Sequence, residues 1–112
     1  MKVSFPHTDQ LSEVVRAGVR TLLWFGDADF VCGYKGGYEV AKLVDFAGRD
    51  KFNANPLTSF TVNGEPGGLI KTVDNFSYMQ VFNSGHMVPY YQPELSLQVF
   101  RQMVYGQNPT ST

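Results

Sequence analysis

Apolar positions recur along this chain with two periods, and the changes between them mark out the elements. Leu11, Val14 and Val15 share one helical face, which predicts a first helix over about Asp9 to Ala17. Thr8 or Asp9 can cap its start, and Gly18 suits its stop. Thr21 to Phe25 is then a continuous apolar run ending at Gly26, as in a strand of a parallel sheet buried on both faces. Val40, Leu43, Val44 and Ala47 return to helical spacing, closed by Gly48. Leu57 to Val62 and Leu69 to Val73 are rich in β-branched residues and flank Asn63 to Gly68, predicting a β-hairpin with a longer loop. Phe76 to Phe82 reads as a further strand. Pro93 opens the last helix, with Glu94 placed against the helix dipole. Leu95, Val99 and Met103 form its apolar stripe, Leu97, Phe100 and Val104 widen it, and Gly106 and Pro109 mark its end.

The order helix, buried strand, helix, hairpin, strand, helix predicts an α/β fold with a parallel element and an antiparallel insertion. Only Thr21 to Phe25 and Phe76 to Phe82 read as buried sheet strands. Two such strands leave unpaired edges, so neighbouring strands are expected from another segment or another chain.

Composition narrows this picture. At 112 residues the prior is a single segment of one domain, which is short for a complete α/β enzyme. The 43% hydrophobic and 17% charged content argues against disorder, and the 14% aromatic content demands a packed core. The net charge is −1 and the nine Lys and Arg are scattered, which excludes a nucleic-acid footprint. No apolar run is long enough to span a membrane. Met1 to Pro6 lacks the apolar stretch of a secretory signal, so none is expected, and Cys32 is the single cysteine, so no internal disulfide can form. Both features suit a cytosolic protein if the chain stands alone, and weigh less if it is part of something larger.

Two loops hold candidate chemistry, each directly after a strand, where ligands bind in open α/β sheets. Gly26 to Gly33 contains Asp27 and Asp29. Aspartate also favours turns and caps, so one is expected to be structural and the other functional. Asn83 to Pro89 contains His86, preceded by small residues that let the backbone turn sharply and followed by a stiffening Pro89. A lone histidine is ordinarily a packed side chain, but aspartate after one strand and histidine after a later one follow the Ser, Asp, His order of α/β-hydrolases. There the imidazole takes the serine proton on one nitrogen while a buried carboxylate holds the other.

The segment Gly26-Asp27-Ala28-Asp29-Phe30-Val31-Cys32 resembles the aspartate motif of serine carboxypeptidases. Phe76 to Pro93, centred on Gly85-His86-Met87-Val88-Pro89, resembles their histidine motif. The resemblance covers about Val19 to Gly106 and is nearest to fungal members. It implies the C-terminal portion of an α/β-hydrolase fold, with the hairpin inserted between the Asp-bearing and His-bearing strands. It also implies a peptide substrate, with Asp29 as the triad carboxylate, Asp27 as a structural residue and His86 as the general base and acid. Met87 would contact the residue leaving from the substrate's C-terminal end, and Cys32 would lie near the side-chain pocket across the scissile bond; for both, core packing is the plain alternative. Full-length members of the family are secreted or vacuolar and lysosomal. Gly33 stands where an asparagine is common in the family, and Met79 where a smaller or β-branched residue is usual.

The family's nucleophile, in a G-x-S-x-G elbow, has no counterpart among the chain's serines. The expected partner is therefore the N-terminal part of the same enzyme, carrying that serine, and the isolated chain is expected to be inactive. A non-catalytic fragment or partner-binding module is the alternative from another class; an acyltransferase or hydroxynitrile lyase is the alternative within the fold. No cofactor, metal, nucleic-acid or membrane partner is expected. His7, His86 and Cys32 form no zinc ligand pairs, Asp27 and Asp29 lack the rest of an EF-hand, and Gly33 to Gly37 lacks the end of a phosphate loop. Asn75-Phe76-Ser77 is an N-glycosylation sequon, relevant if the chain enters the secretory pathway.

Overall fold

The computed structural model describes residues 8–27, 34–85 and 87–112. Its elements follow in the order α1 (Thr8–Arg16), β1 (Thr21–Gly26), α2 (Tyr34–Leu43), α3 (Arg49–Ala54), β2 (Thr58–Val62), β3 (Glu65–Val73), β4 (Phe76–Val81), α4 (Val88–Tyr91) and α5 (Pro93–Val104). The side chains of Thr8 and Asp9, the expected caps of α1, lie outside the described part. The strands form one mixed sheet in the order β1-β4-β3-β2. β1 runs parallel to β4, Thr21 opposite Phe76 through Gly26 opposite Val81. The other pairs are antiparallel, so the hairpin extends the sheet on the far side of β4.

Alternation along β4 divides the core in two. Phe76 and Tyr78 face α1, α2 and α3, where they join Val15, Ala41, Val44, Phe46, Phe52 and Val73. Met79 and Val81 face the other way, toward Phe60, Ile70, Val88, Leu95 and Val99. The first face is aromatic-rich: Tyr38 stacks on Tyr78 with centroids 4.9 Å apart, and Phe52 meets Phe76 at 5.2 Å. β4 is buried on both sides, as expected of it. β1 was expected to be equally buried, yet Thr21 to Phe25 are only half-buried. Its side chains do divide between the faces, Leu23 and Phe25 to the first core, Leu22 and Trp24 to the second. Among the described residues β4 is its only neighbour, so it lies at the sheet's edge.

Three local expectations are corrected. The helical spacing of Val40 to Ala47 does not continue to Gly48. α2 ends at Leu43, and Gly48 precedes the first turn of a separate helix, α3, rather than closing α2. The break has a visible cause: the Asp45 N–H donates to Ser12 Oγ at 2.9 Å, and the Arg16 guanidinium donates to the Asp45 carbonyl at 2.8 Å. These ties to α1 replace further helical bonds, while Val44 and Phe46 remain buried. The hairpin loop is also shorter than Asn63 to Gly68. Val62 pairs with Glu65 across a two-residue Asn63-Gly64 turn, and both turn residues have positive φ, 52° and 82°. That geometry matches the strand twist and suits an Asn-Gly pair. The surplus glycine is taken up in β3. Phe60 faces Gly68 and Thr61 faces Pro66, so Gly67 is the extra residue of a bulge.

The third correction concerns α5. Leu95 and Val99 are buried as expected, but Leu97, Phe100 and Val104 are 51%, 67% and 63% exposed. Phe100 and Val104 overhang β1, and with Leu22, Trp24, Val99 and Met103 they line an apolar groove of about 460 Å³. Among the described residues, no helix is long and apolar enough to cross a membrane.

Candidate functional site

Parallel neighbours end side by side, so β1 and β4 release their chains at one edge of the sheet. Asp27 continues the ladder, its N–H donating to the Val81 carbonyl at 2.9 Å. Beyond β4 the chain turns through Asn83, which has φ of 53°. It then comes back against the end of β1. The contact is so close that a Cβ on Gly26 would lie 2.2 Å from the Ser84 carbonyl oxygen and 2.4 Å from that of Gly85. Only glycine permits this approach. The Ser84 N–H donates to Asp27 Oδ1 at 3.4 Å, a long bond linking the two loops.

Ser84 is fully buried, and its hydroxyl donates to the Gly85 carbonyl at 3.0 Å. Its hydroxyl proton is therefore engaged within the loop. On the other side of the loop, a Cβ on Gly85 would come within 2.9 Å of the Tyr91 ring. Gln92, where α4 meets α5, donates from Nε2 to the carbonyls of Phe82 at 3.0 Å and Asn83 at 3.4 Å. Sequence reading missed this brace; the signal was only that a polar, donor-bearing residue follows the exposed pair Tyr90-Tyr91.

Of the residues singled out from sequence, Asp29, Cys32 and His86 lie outside the described residues. Asp27 sits where the two loops touch. Met87 is 63% exposed and is the N-cap residue before α4, its carbonyl accepting from the N–H groups of Tyr90 at 3.0 Å and Tyr91 at 3.3 Å. Asn75 lies at the opposite end of β4. Its Nδ2, the atom a glycan would modify, donates to the carbonyls of Val15 at 2.9 Å and Val19 at 2.7 Å. Among the described residues no group of three His, Cys, Asp or Glu could hold a metal ion. A second concavity of about 450 Å³, lined by Asn63, Glu94, Gln98, Arg101 and Thr112 among others, lies beside α5 and away from the Ser84 loop.

A mixed sheet whose neighbouring parallel strands release two loops into contact at their carboxyl ends is an α/β sheet of the class that binds ligands at that edge. Within it, this chain belongs to the serine carboxypeptidase family, whose model matches residues 1–106. It is 50% identical over 102 residues to carboxypeptidase S1 of Penicillium janthinellum, covering 91% of this chain and 24% of that protein. It is 34% identical over 98 residues to carboxypeptidase Y of Schizosaccharomyces pombe, covering 88% of this chain and 10% of that one. Among solved structures, Kex1(delta)p, a prohormone-processing carboxypeptidase from Saccharomyces cerevisiae, shares the fold. The TM-score is 0.70 at 24% identity, over 87% of this chain and 22% of that one. The chain thus spans a quarter or less of the length of these relatives.

Proposed function

We infer that this chain is the C-terminal part of a serine-type carboxypeptidase and supplies two of the three triad residues. The observation that carries the reading is the contact of Gly26 with Ser84 and Gly85. It ties together the loops that hold Asp29, two residues past Asp27, and His86, next after Gly85. Asp29 follows Gly26 by three residues and His86 follows Gly85 directly, so each is a short stretch of chain from that contact. In the assembled enzyme a serine from the N-terminal part attacks the last peptide carbonyl. His86 takes the serine proton, then gives it to the leaving amino acid as the C–N bond breaks. Asp29 holds the imidazole tautomer and stabilises its charged form. Water, deprotonated by His86, then releases the acylated serine. Met87, exposed beside His86, meets the leaving residue, and Cys32 borders the pocket on the other side of the scissile bond. The relatives reported above are named as carboxypeptidases, which favours peptide hydrolysis over acyl transfer or lyase chemistry.

The N-terminal part docks on the open side of β1 and covers the groove of Leu22, Trp24, Phe100 and Val104. Alone, the chain is inactive. In the complete enzyme, Asp29→Asn and His86→Ala are each expected to lower kcat by about 10,000-fold, as in other triads. A loss below tenfold, measured on a peptide substrate with a free C-terminal carboxylate, removes that residue from the triad.

A further inference from the structure

The loop after β4 is braced from one residue that has no place in the triad. Gln92 bonds through its backbone N–H, its backbone carbonyl and its side-chain Nε2 at once. Its N–H donates to the Val88 carbonyl at 2.8 Å, and its own carbonyl accepts from Ser96 at 3.0 Å. Its backbone is therefore fixed by α4 on one side and α5 on the other. From that fixed point the carboxamide reaches back ten residues to Phe82, at 3.0 Å, and to Asn83, at 3.4 Å. The chain from Phe82 to Gln92 becomes a closed loop. Tyr91 presses on Gly85 from the α4 side, and the Asp27 carboxylate accepts the Ser84 N–H from the β1 side, at 3.4 Å.

We propose that Gln92 is a positioning residue for His86. This rests on the triad reading above and extends it: the hydrogen bonds to the carbonyls of Phe82 and Asn83 set where the loop stands relative to the end of β1. A misplacement of about 1 Å at a reacting group can cost about a hundredfold in rate, so a brace of this kind acts on turnover more than on substrate affinity. The donor is what matters, since both acceptors are carbonyls.

The test compares three variants of the complete enzyme. Gln92→Met keeps length and shape but has no N–H; kcat is expected to fall about tenfold while KM stays within twofold. Gln92→Lys keeps an N–H donor on a long stem and is expected to recover at least a third of the lost kcat. His86→Ala separates the two ideas. If it abolishes turnover while Gln92→Met leaves kcat per folded molecule unchanged, the positioning role is overturned and the triad reading stands. If Gln92→Met and Gln92→Lys lose kcat equally, donation is irrelevant and the proposal also falls. If His86→Ala keeps more than a tenth of wild-type kcat, both ideas fall together.

Discussion

Single residues matter most in this chain where two segments come within contact distance. Gly26 is the clearest case, because a side chain there would overlap backbone atoms of Ser84 and Gly85, which cannot rotate away. Gly26→Ala is expected to destabilise the fold by about 1–3 kcal/mol, as overpacking does, and to push the two loops apart. Urea unfolding measures the first effect and turnover of the complete enzyme the second; unchanged values in both would mean the contact is not as close as described. Ser96 is a contrasting case. Its hydroxyl is buried, with no hydrogen-bond partner among the described residues, so nothing described offsets its desolvation. Ser96→Ala is expected to be neutral or stabilising by up to about 1 kcal/mol, read as a raised urea midpoint. Neither effect was legible in the sequence. A glycine ending a strand and a serine in a helix are ordinary until their neighbours are known.

Between elements, the first core is clamped by a buried lysine. Lys71 on β3 donates to the Tyr38 hydroxyl at 2.6 Å and the Phe52 carbonyl at 2.7 Å. Its ammonium also lies over the Tyr38 and Phe52 rings, 4.9 and 4.6 Å from their centroids. One side chain so joins β3 to α2 and to the end of α3. Lys71→Ala is expected to cost about 2–4 kcal/mol, since it leaves a carbonyl without its partner and a cavity beside two rings. A loss below 0.5 kcal/mol, on the scale of an ordinary surface substitution, would show that the clamp is not needed. Most elements were readable from periodicity, which reports which positions must be covered. The boundary between α2 and α3 was not. It depends on Ser12 and Arg16 of α1 capturing Asp45, and an apolar repeat cannot register a polar tie to a distant segment.

Over the whole molecule, the two edges of the sheet are treated differently. The β2 edge is closed by the chain's own last residues. Thr112 donates to the Thr61 carbonyl at 3.0 Å, Gly64 donates to Thr112 at 2.8 Å, and Ser111 Oγ accepts from the Thr61 N–H at 3.0 Å. At the other edge β1 is left half-buried beside the apolar groove under α5. Open edges flanked by apolar surface invite pairing with another chain. The 112-residue chain is therefore expected to associate as its concentration rises, and Phe100→Lys with Val104→Lys is expected to reduce that association. Analytical ultracentrifugation would show it; a monomer at all concentrations would argue against an open β1 edge. In the complete enzyme the same double substitution is expected to weaken assembly.

The local sequence determined the order of the four strands, the helices α1 and α5 that flank them, and the two loops that follow β1 and β4. Each of these follows from spacing or from motif residues adjacent in the chain. Tertiary structure decided what depends on distant segments meeting: the parallel register that ends β1 and β4 together, the glycine contact joining their loops, the Gln92 brace, and the exposure of Phe100 and Val104. The last of these shows the reason. An apolar residue on a helix declares that something must cover it, but only the assembled sheet shows that, within this chain, nothing described does.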